Sequence, residues 1–277
     1  MDLIFYAGVF LFGLSVGSFL NALVFRLGTA ESVLWGRSHC MTCKHTLEWY
    51  ELIPVMSFVV LGGKCRTCHD PISSQYPIVE ILTAAVFLFL YASYKSTIFF
   101  TSPFFIFGNM DDLLWYVFGL LFYFLSAALL IGIGIYDFRT KIIAPSLMFL
   151  FFSLTLLWQV TRWYSGVPIA EIITTALGAL GVFAFFAGLW FFSRGRAMGF
   201  GDAQLSSAIV LFLGATQGLL AVLFSFWLGA LFGIFMIILG KARLKSEIPF
   251  GPFLVAGAFL AMFWGDAMLW AYFAVFL

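Results

Sequence analysis

Four cysteines and two aspartates hold most of this chain's capacity for chemistry. The cysteines stand as Cys40-Met-Thr-Cys43 and Cys65-Arg-Thr-Cys68, with 21 residues between the pairs. Each CxxC places two thiolates on one side of a tight turn, so two of them complete a tetrahedron of sulfurs. That donor set suits zinc. A closed four-sulfur site leaves no open coordination position, so the expected role is structural. Two disulfides, or simply buried thiols, would also use four cysteines; the first is disfavoured in a reducing compartment. His39, His45 and His69 flank the pairs and read as surface residues, since four cysteines suffice.

The aspartates are Asp137, in Gly134-Ile-Tyr-Asp137-Phe-Arg-Thr-Lys141, and Asp202, in Met198-Gly-Phe-Gly-Asp202. Each ends or follows a long apolar run. Two carboxylates brought close together cannot both ionise readily. One would stay protonated and polarise a peptide carbonyl, while the other takes a proton from the attacking water. Gly199 and Gly201 would let the backbone approach an extended substrate. The plainer readings differ for the two residues. Asp202 would serve as a helix N-cap. Asp137 lies near a helix C-terminus, where the dipole opposes a carboxylate, and Arg139 and Lys141 offer it partners.

The elements that must position these groups follow from composition. Of 277 residues, 63% are hydrophobic and 10% charged, and 37 are Phe. A soluble domain carries roughly 25% charged residues, so a water-soluble globule and a disordered chain are both excluded. A net charge of +1 without a long basic run argues against nucleic acid as a partner. The apolar runs are continuous rather than alternating, which excludes an outer-membrane barrel. Measured against a bilayer that takes about 20 residues per helix, they give spans at 3–25, 77–95, 113–136, 146–162, 172–193 and 253–276. The run 203–240 makes two more, broken at Gly214-Ala-Thr-Gln-Gly218. The expected fold is an all-α polytopic membrane protein of about eight transmembrane helices.

Twelve of the 14 basic residues, among them Arg26, Lys64, Arg139, Arg194, Lys241, Arg243 and Lys245, fall in or beside odd-numbered loops. Lys95 and Arg162 fall in the others. The positive-inside rule then places the odd loops in the cytoplasm and both termini outside. Asp2 stands before the first apolar run, where a signal peptide would carry Lys or Arg, so that segment reads as a retained helix. The long polar stretch 28–76, which holds the four cysteines, becomes a cytoplasmic zinc-ribbon-like loop after the first helix. The division expected is a first helix at 1–27, this loop, and a transmembrane core over 77–277.

Ordered along the chain, these motifs resemble the type IV prepilin peptidase family, the bifunctional leader peptidases and N-methyltransferases of bacterial pilus and type II secretion systems. The resemblance runs through Gly13-Leu-Ser-Val-Gly-Ser-Phe-Leu-Asn21, both CxxC pairs, Leu47-Glu-Trp-Tyr-Glu-Leu-Ile-Pro54 and Ile72-Ser-Ser-Gln-Tyr-Pro-Ile-Val-Glu80. It continues through Asp137 with Ile142, Ile143 and Pro145, the GxGD ending at Asp202, and Ile248-Pro-Phe-Gly-Pro-Phe253. It implies a GxGD aspartic endopeptidase of the bacterial inner membrane, with Asp137 and Asp202 catalytic and its active site at the cytoplasmic face. Its partners would be prepilins or pseudopilins, cut after a glycine at the end of a short basic leader, and the lipid bilayer. It also implies methylation of the new N-terminus from S-adenosylmethionine. The chain departs from the family pattern at Ala144, which sets Pro145 one residue later, and at Ser146 and Gln204.

No GxGxxG fingerprint offers a nucleotide site. The loop is therefore the place to look for the methyl donor, with Glu48, Trp49, Tyr50, Glu51 and Glu80 as candidate cofactor-binding residues. Trp49 and Tyr50 would stack on adenine or attract the sulfonium; an interfacial aromatic belt would use them equally well. Glu80 stands at the start of a span, where both ligand binding and a helix N-terminal turn favour a carboxylate. Two other classes compete. A proton- or cation-coupled transporter would carry its acids nearer mid-membrane and show an internal repeat, and a non-catalytic zinc-ribbon scaffold would turn nothing over.

Overall fold

A computed structural model describes residues 2–27, 32, 36–101, 110–196, 198–241 and 248–276. Of the basic residues counted above, Arg243 and Lys245 lie outside this set. Among the described residues the chain is helical, without strands. The helices are α1 (Asp2–Arg26), α2 (Met56–Val60), α3 (Gln75–Thr101), α4 (Met110–Thr140) and α5 (Pro145–Tyr164). They continue with α6 (Ile169–Ser193), α7 (Phe200–Leu213), α8 (Ala215–Ile238) and α9 (Gly251–Phe276), and a 3-10 turn runs over Trp49–Leu52.

The eight expected spans correspond to α1 and α3–α9. Six of them, α1, α3, α4, α6, α8 and α9, are long and apolar enough to cross a membrane. Gln159 and Arg162 dilute the apolar character of α5, and α7 has only 14 residues. The expected break in 203–240 falls at Gly214, whose φ of 90° and ψ of 165° suit a residue without Cβ. Pro145 opens α5 as its first helical residue, after Ala144 as N-cap. There its missing N–H costs nothing.

The chain forms two compact units, Met1–Gly132 and Ile133–Leu277. In the first, α1 packs on α3. Gly13 and Gly17 lie one helical turn apart on the same face. A Cβ at Gly13 would come within 2.6 Å of the Ala84 Cα, and one at Gly17 within 2.6 Å of the Glu80 Cα. Such small-residue faces let membrane helices approach backbone to backbone, where dispersion replaces the absent hydrophobic drive. Asn21, one turn further along that face and fully buried, donates from Nδ2 to the Tyr76 carbonyl at 3.2 Å.

In the second unit α7 is the centre. Between Asp202 and Phe212 every residue except Gln204 is buried, with α5, α6, α8 and α9 packed around it. A Cβ at Gly218 would meet the Val210 Cα at 2.5 Å. These residues stand four positions either side of Gly214, so α7 and α8 run antiparallel in close contact. At the Gly214 end of α7, the Gln159 amide donates to the Leu211 carbonyl, and Arg162 bonds both Gln159 and Glu171. In α9 the Asp266 carboxylate accepts from the Gln217 amide of α8.

Candidate functional site

Asp137 sits in the last turn of α4 and Asp202 in the first turn of α7, with 4% and 9% of their surfaces exposed. They lie within electrostatic reach of each other. Asp202 is the third residue of its helix rather than the N-cap, and its Oδ2 accepts the Gly199 N–H at 3.1 Å. Asp137 resolves its awkward place at a helix C-terminus by borrowing another helix. Its Oδ2 accepts the Gly251 N–H at 2.9 Å, and Gly251 is the first residue of α9. Each carboxylate therefore takes an N–H from a helix N-terminus, where unpaired donors and the positive end of the dipole favour an anion.

Gly251 went unrecognised in the sequence as a site residue. It stood in Ile248-Pro-Phe-Gly-Pro-Phe253, and the signal was a glycine directly before a proline at a helix start. A Cβ there would fall 2.5 Å from the Asp137 Oδ2 and 3.0 Å from its Cγ. The GxGD glycines leave room in the same way. A Cβ at Gly201 would press on Ile143 at 3.1 Å, and one at Gly199 would approach the Asp202 carboxylate at 3.3 Å. Ser146 and Gln204, which depart from the family pattern, are exposed.

The cysteine loop folds as two matching knuckles. In the first, the Lys44 N–H bonds the Cys40 carbonyl and the Cys40 N–H bonds that of His45; in the second, His69 and Cys65 repeat this with Asp70. Lys44 and His69 both turn through left-handed backbone, with φ of 59° and 58°. The Thr42 hydroxyl donates to the Asp70 carboxylate at 2.5 Å, tying one knuckle to the other. All four sulfurs lie within 4.8 Å of one another, Cys40 to Cys68 at 3.8 Å and Cys43 to Cys65 at 4.0 Å. These distances are about twice a disulfide bond. They match a tetrahedron of sulfurs about 2.3 Å from a central zinc, whose edges are about 3.8 Å.

Crowding sets the thiols against one another. The Cys40 thiol is pulled down to about 7, chiefly by the Cys43 N–H. The Cys68 thiol is pushed up to about 12; the Asp70 N–H favours its thiolate, but desolvation and the other three thiols outweigh it. A divalent cation relieves that conflict, and the cluster could hold one. His45 turns toward Glu51, at 3.7 Å.

Beside the knuckles lies a cavity of about 380 Å³. Its walls include Phe25 and Tyr76, stacked at 5.3 Å, together with Arg26, Arg66, Glu51 and Glu80. Of the five expected cofactor residues, Glu51 and Glu80 line it and are buried. Glu48, Trp49 and Tyr50 are not on its walls, and Trp49 is 74% exposed. The Glu48 N–H instead holds the Glu51 carboxylate at 2.8 Å, and the Tyr50 ring receives the Arg66 guanidinium at 5.2 Å.

Two family models match the chain. The bacterial peptidase A24 N-terminal domain matches residues 11–94, and the type IV leader peptidase family matches residues 124–234. A prepilin leader peptidase/N-methyltransferase of Bacillus subtilis is 31% identical over 266 residues, 94% of this chain and 95% of the relative. One from Legionella pneumophila is 30% identical, covering 95% and 93%. In Myxococcus xanthus the likeness is 45% over 84 residues, 30% of this chain and 25% of the relative. No solved structure matches.

Proposed function

The chain belongs to the type IV leader peptidase family, and on that premise we infer that it is a membrane aspartic peptidase that removes prepilin leaders and then methylates the new N-terminus. The observation that carries the peptidase reading is the pair of buried carboxylates, Asp137 and Asp202, each held by a glycine N–H at a helix N-terminus. Acids so placed are costly in a membrane protein and mark function. In our reading one carboxyl keeps its proton and donates it to the scissile carbonyl. The other, as carboxylate, takes a proton from water as that water attacks. Gly199, Gly201 and Gly251 position the pair by leaving room for it and for the backbone around it.

The chain is a multi-pass protein of the bacterial inner membrane. We place both termini in the periplasm and the aspartates toward the cytoplasmic face, on the strength of its basic residues. A prepilin or pseudopilin with a basic leader in the cytoplasm and an apolar helix in the bilayer offers its cleavage site at that interface. Purified wild type should remove the leader and label the product from S-adenosylmethionine, read by mass spectrometry. Asp137→Asn and Asp202→Asn should each lower cleavage by at least about 10²-fold while the protein still inserts. Normal processing by either variant would sink the assignment. A transporter or scaffold would yield neither product.

We assign methyl transfer to the loop with α1 and α3. Cys40, Cys43, Cys65 and Cys68 would hold a structural zinc that fixes one wall of the cavity. The Phe25–Tyr76 stack suits a purine, and Arg26 or Arg66 suits the carboxylate of the methionine portion of S-adenosylmethionine. The Glu51 carboxylate, buried on the same wall, suits the positive charge of the donor sulfonium. Glu48 and Tyr50 support this wall from behind by holding Glu51 and Arg66, and Trp49 packs edge-on against Tyr50.

A further inference from the structure

Among the described residues two buried acids, Glu51 and Glu80, serve neither peptide cleavage nor metal binding; Glu51 faces His45, and Glu80 does not. Glu80 enters the loop cavity from the first turns of α3 and is 5% exposed. Its bonding partners are neutral: Oε2 accepts the Val55 N–H at 2.7 Å, and the Ser18 hydroxyl also bonds the carboxylate. Val55 is held in a conformation that a β-branched residue rarely adopts, with φ 60° and ψ −49°, closing a tight turn from the Met56 N–H to the Pro54 carbonyl at 2.6 Å. Such strain persists where its surroundings over-determine it, and the Glu80 carboxylate is part of them. A buried carboxylate served by neutral donors keeps an uncompensated charge, which a cation at the cavity would balance.

We propose that Glu80 binds the α-amine of the cleaved substrate and accepts the proton released when that amine is methylated. This rests on the methyl-transfer reading above. Two cations meet in such a reaction, the donor sulfonium and the amine, and position separates them. The amine belongs to the first residue of a membrane helix and arrives from the bilayer side. That is where Glu80 stands, with Ser18, Ala22 and Tyr76 of the spanning helices. The donor is a soluble molecule and enters among the loop residues Glu51, Arg66 and Asp70. Bound as an ammonium, the amine first gives one proton to the Glu80 carboxylate, which frees the nitrogen lone pair. That lone pair forms the new N–C bond as the C–S bond breaks, and the sulfur keeps the bonding pair and becomes a neutral thioether. The product leaves as a secondary ammonium, and the proton on Glu80 passes to water.

The test uses the full chain and three substrates: uncleaved prepilin, a pre-cleaved pilin peptide with a free N-terminus, and labelled S-adenosylmethionine. Glu80→Gln retains an oxygen for the Val55 N–H and loses only the charge. It should cleave prepilin, bind metal and bind S-adenosylmethionine as wild type does. Its kcat/KM for methylating the pre-cleaved peptide should fall at least about 10²-fold, and Glu80→Asp should recover part of that loss. Wild-type methylation by Glu80→Gln would overturn the proposal. So would parallel loss of donor binding, which would make Glu80 part of the donor site. Loss of metal and cleavage together with methylation would make it structural and overturn it as well. A wild-type chain that cleaves but transfers no methyl group would instead defeat the reading on which the proposal rests.

Discussion

At the scale of single residues, the site depends on what glycine leaves out. Gly251→Ala would put a methyl group 2.5 Å from the Asp137 oxygen it now bonds, forcing the carboxylate or the start of α9 to move. A misplacement of about 1 Å near a reacting group can cost about 10²-fold. The variant should therefore lose about that much cleavage while methylating a pre-cleaved peptide normally, and peptide mass spectrometry separates the two. Asp137 and Asp202 were legible in the sequence because a carboxylate beside an apolar run is rare and expensive. Gly251 was not, because its partner lies 114 positions away and only the meeting of two helix ends reveals it. Trp49 makes a related point. Residue type advertised a stacking surface, but only the fold decides whether a ring faces a cavity or, like this one, faces out.

At the scale of elements, the two knuckles act as one unit through four sulfurs and the Thr42–Asp70 bond. Replacing any one cysteine by serine should release the metal, measured by elemental analysis, and abolish methyl transfer while leaving prepilin cleavage largely intact. Acidification should do the same reversibly. Thiolates bind metal and thiols do not, so affinity falls as pH falls. The knuckles could be read from spacing alone, since turn geometry fixes where four thiols go. So could the break between α7 and α8, which Gly214 sets locally. The close packing of Gly13 and Gly17 on α3 was not legible, because a glycine in an apolar run does not name the surface it meets. Gly17→Leu should drive α1 from α3 and lower the yield of folded protein, measured by thermal unfolding in detergent.

At the scale of the whole molecule, our proposal has the two reactions draw on different parts of the chain, so each should survive the loss of the other. An Asp202→Asn protein should still methylate pre-cleaved peptide in a labelling assay. The hairpin of α7 and α8 adds a constraint on substrates. With about 1.5 Å of rise per residue, the 14 residues of α7 reach roughly 21 Å from Gly214, and the 24 of α8 roughly 36 Å. Run antiparallel from a common end, the two helices leave Asp202, the third residue of α7, about 18 Å short of the tip of α8, at the bottom of a step. A peptide must descend that step before it can be cut, and an extended chain covers about 3.3 Å per residue. Leaders should therefore show a minimum reach of about five or six residues, below which cleavage falls steeply however basic the remaining leader is. A series of truncated prepilins would measure that depth as a ruler does.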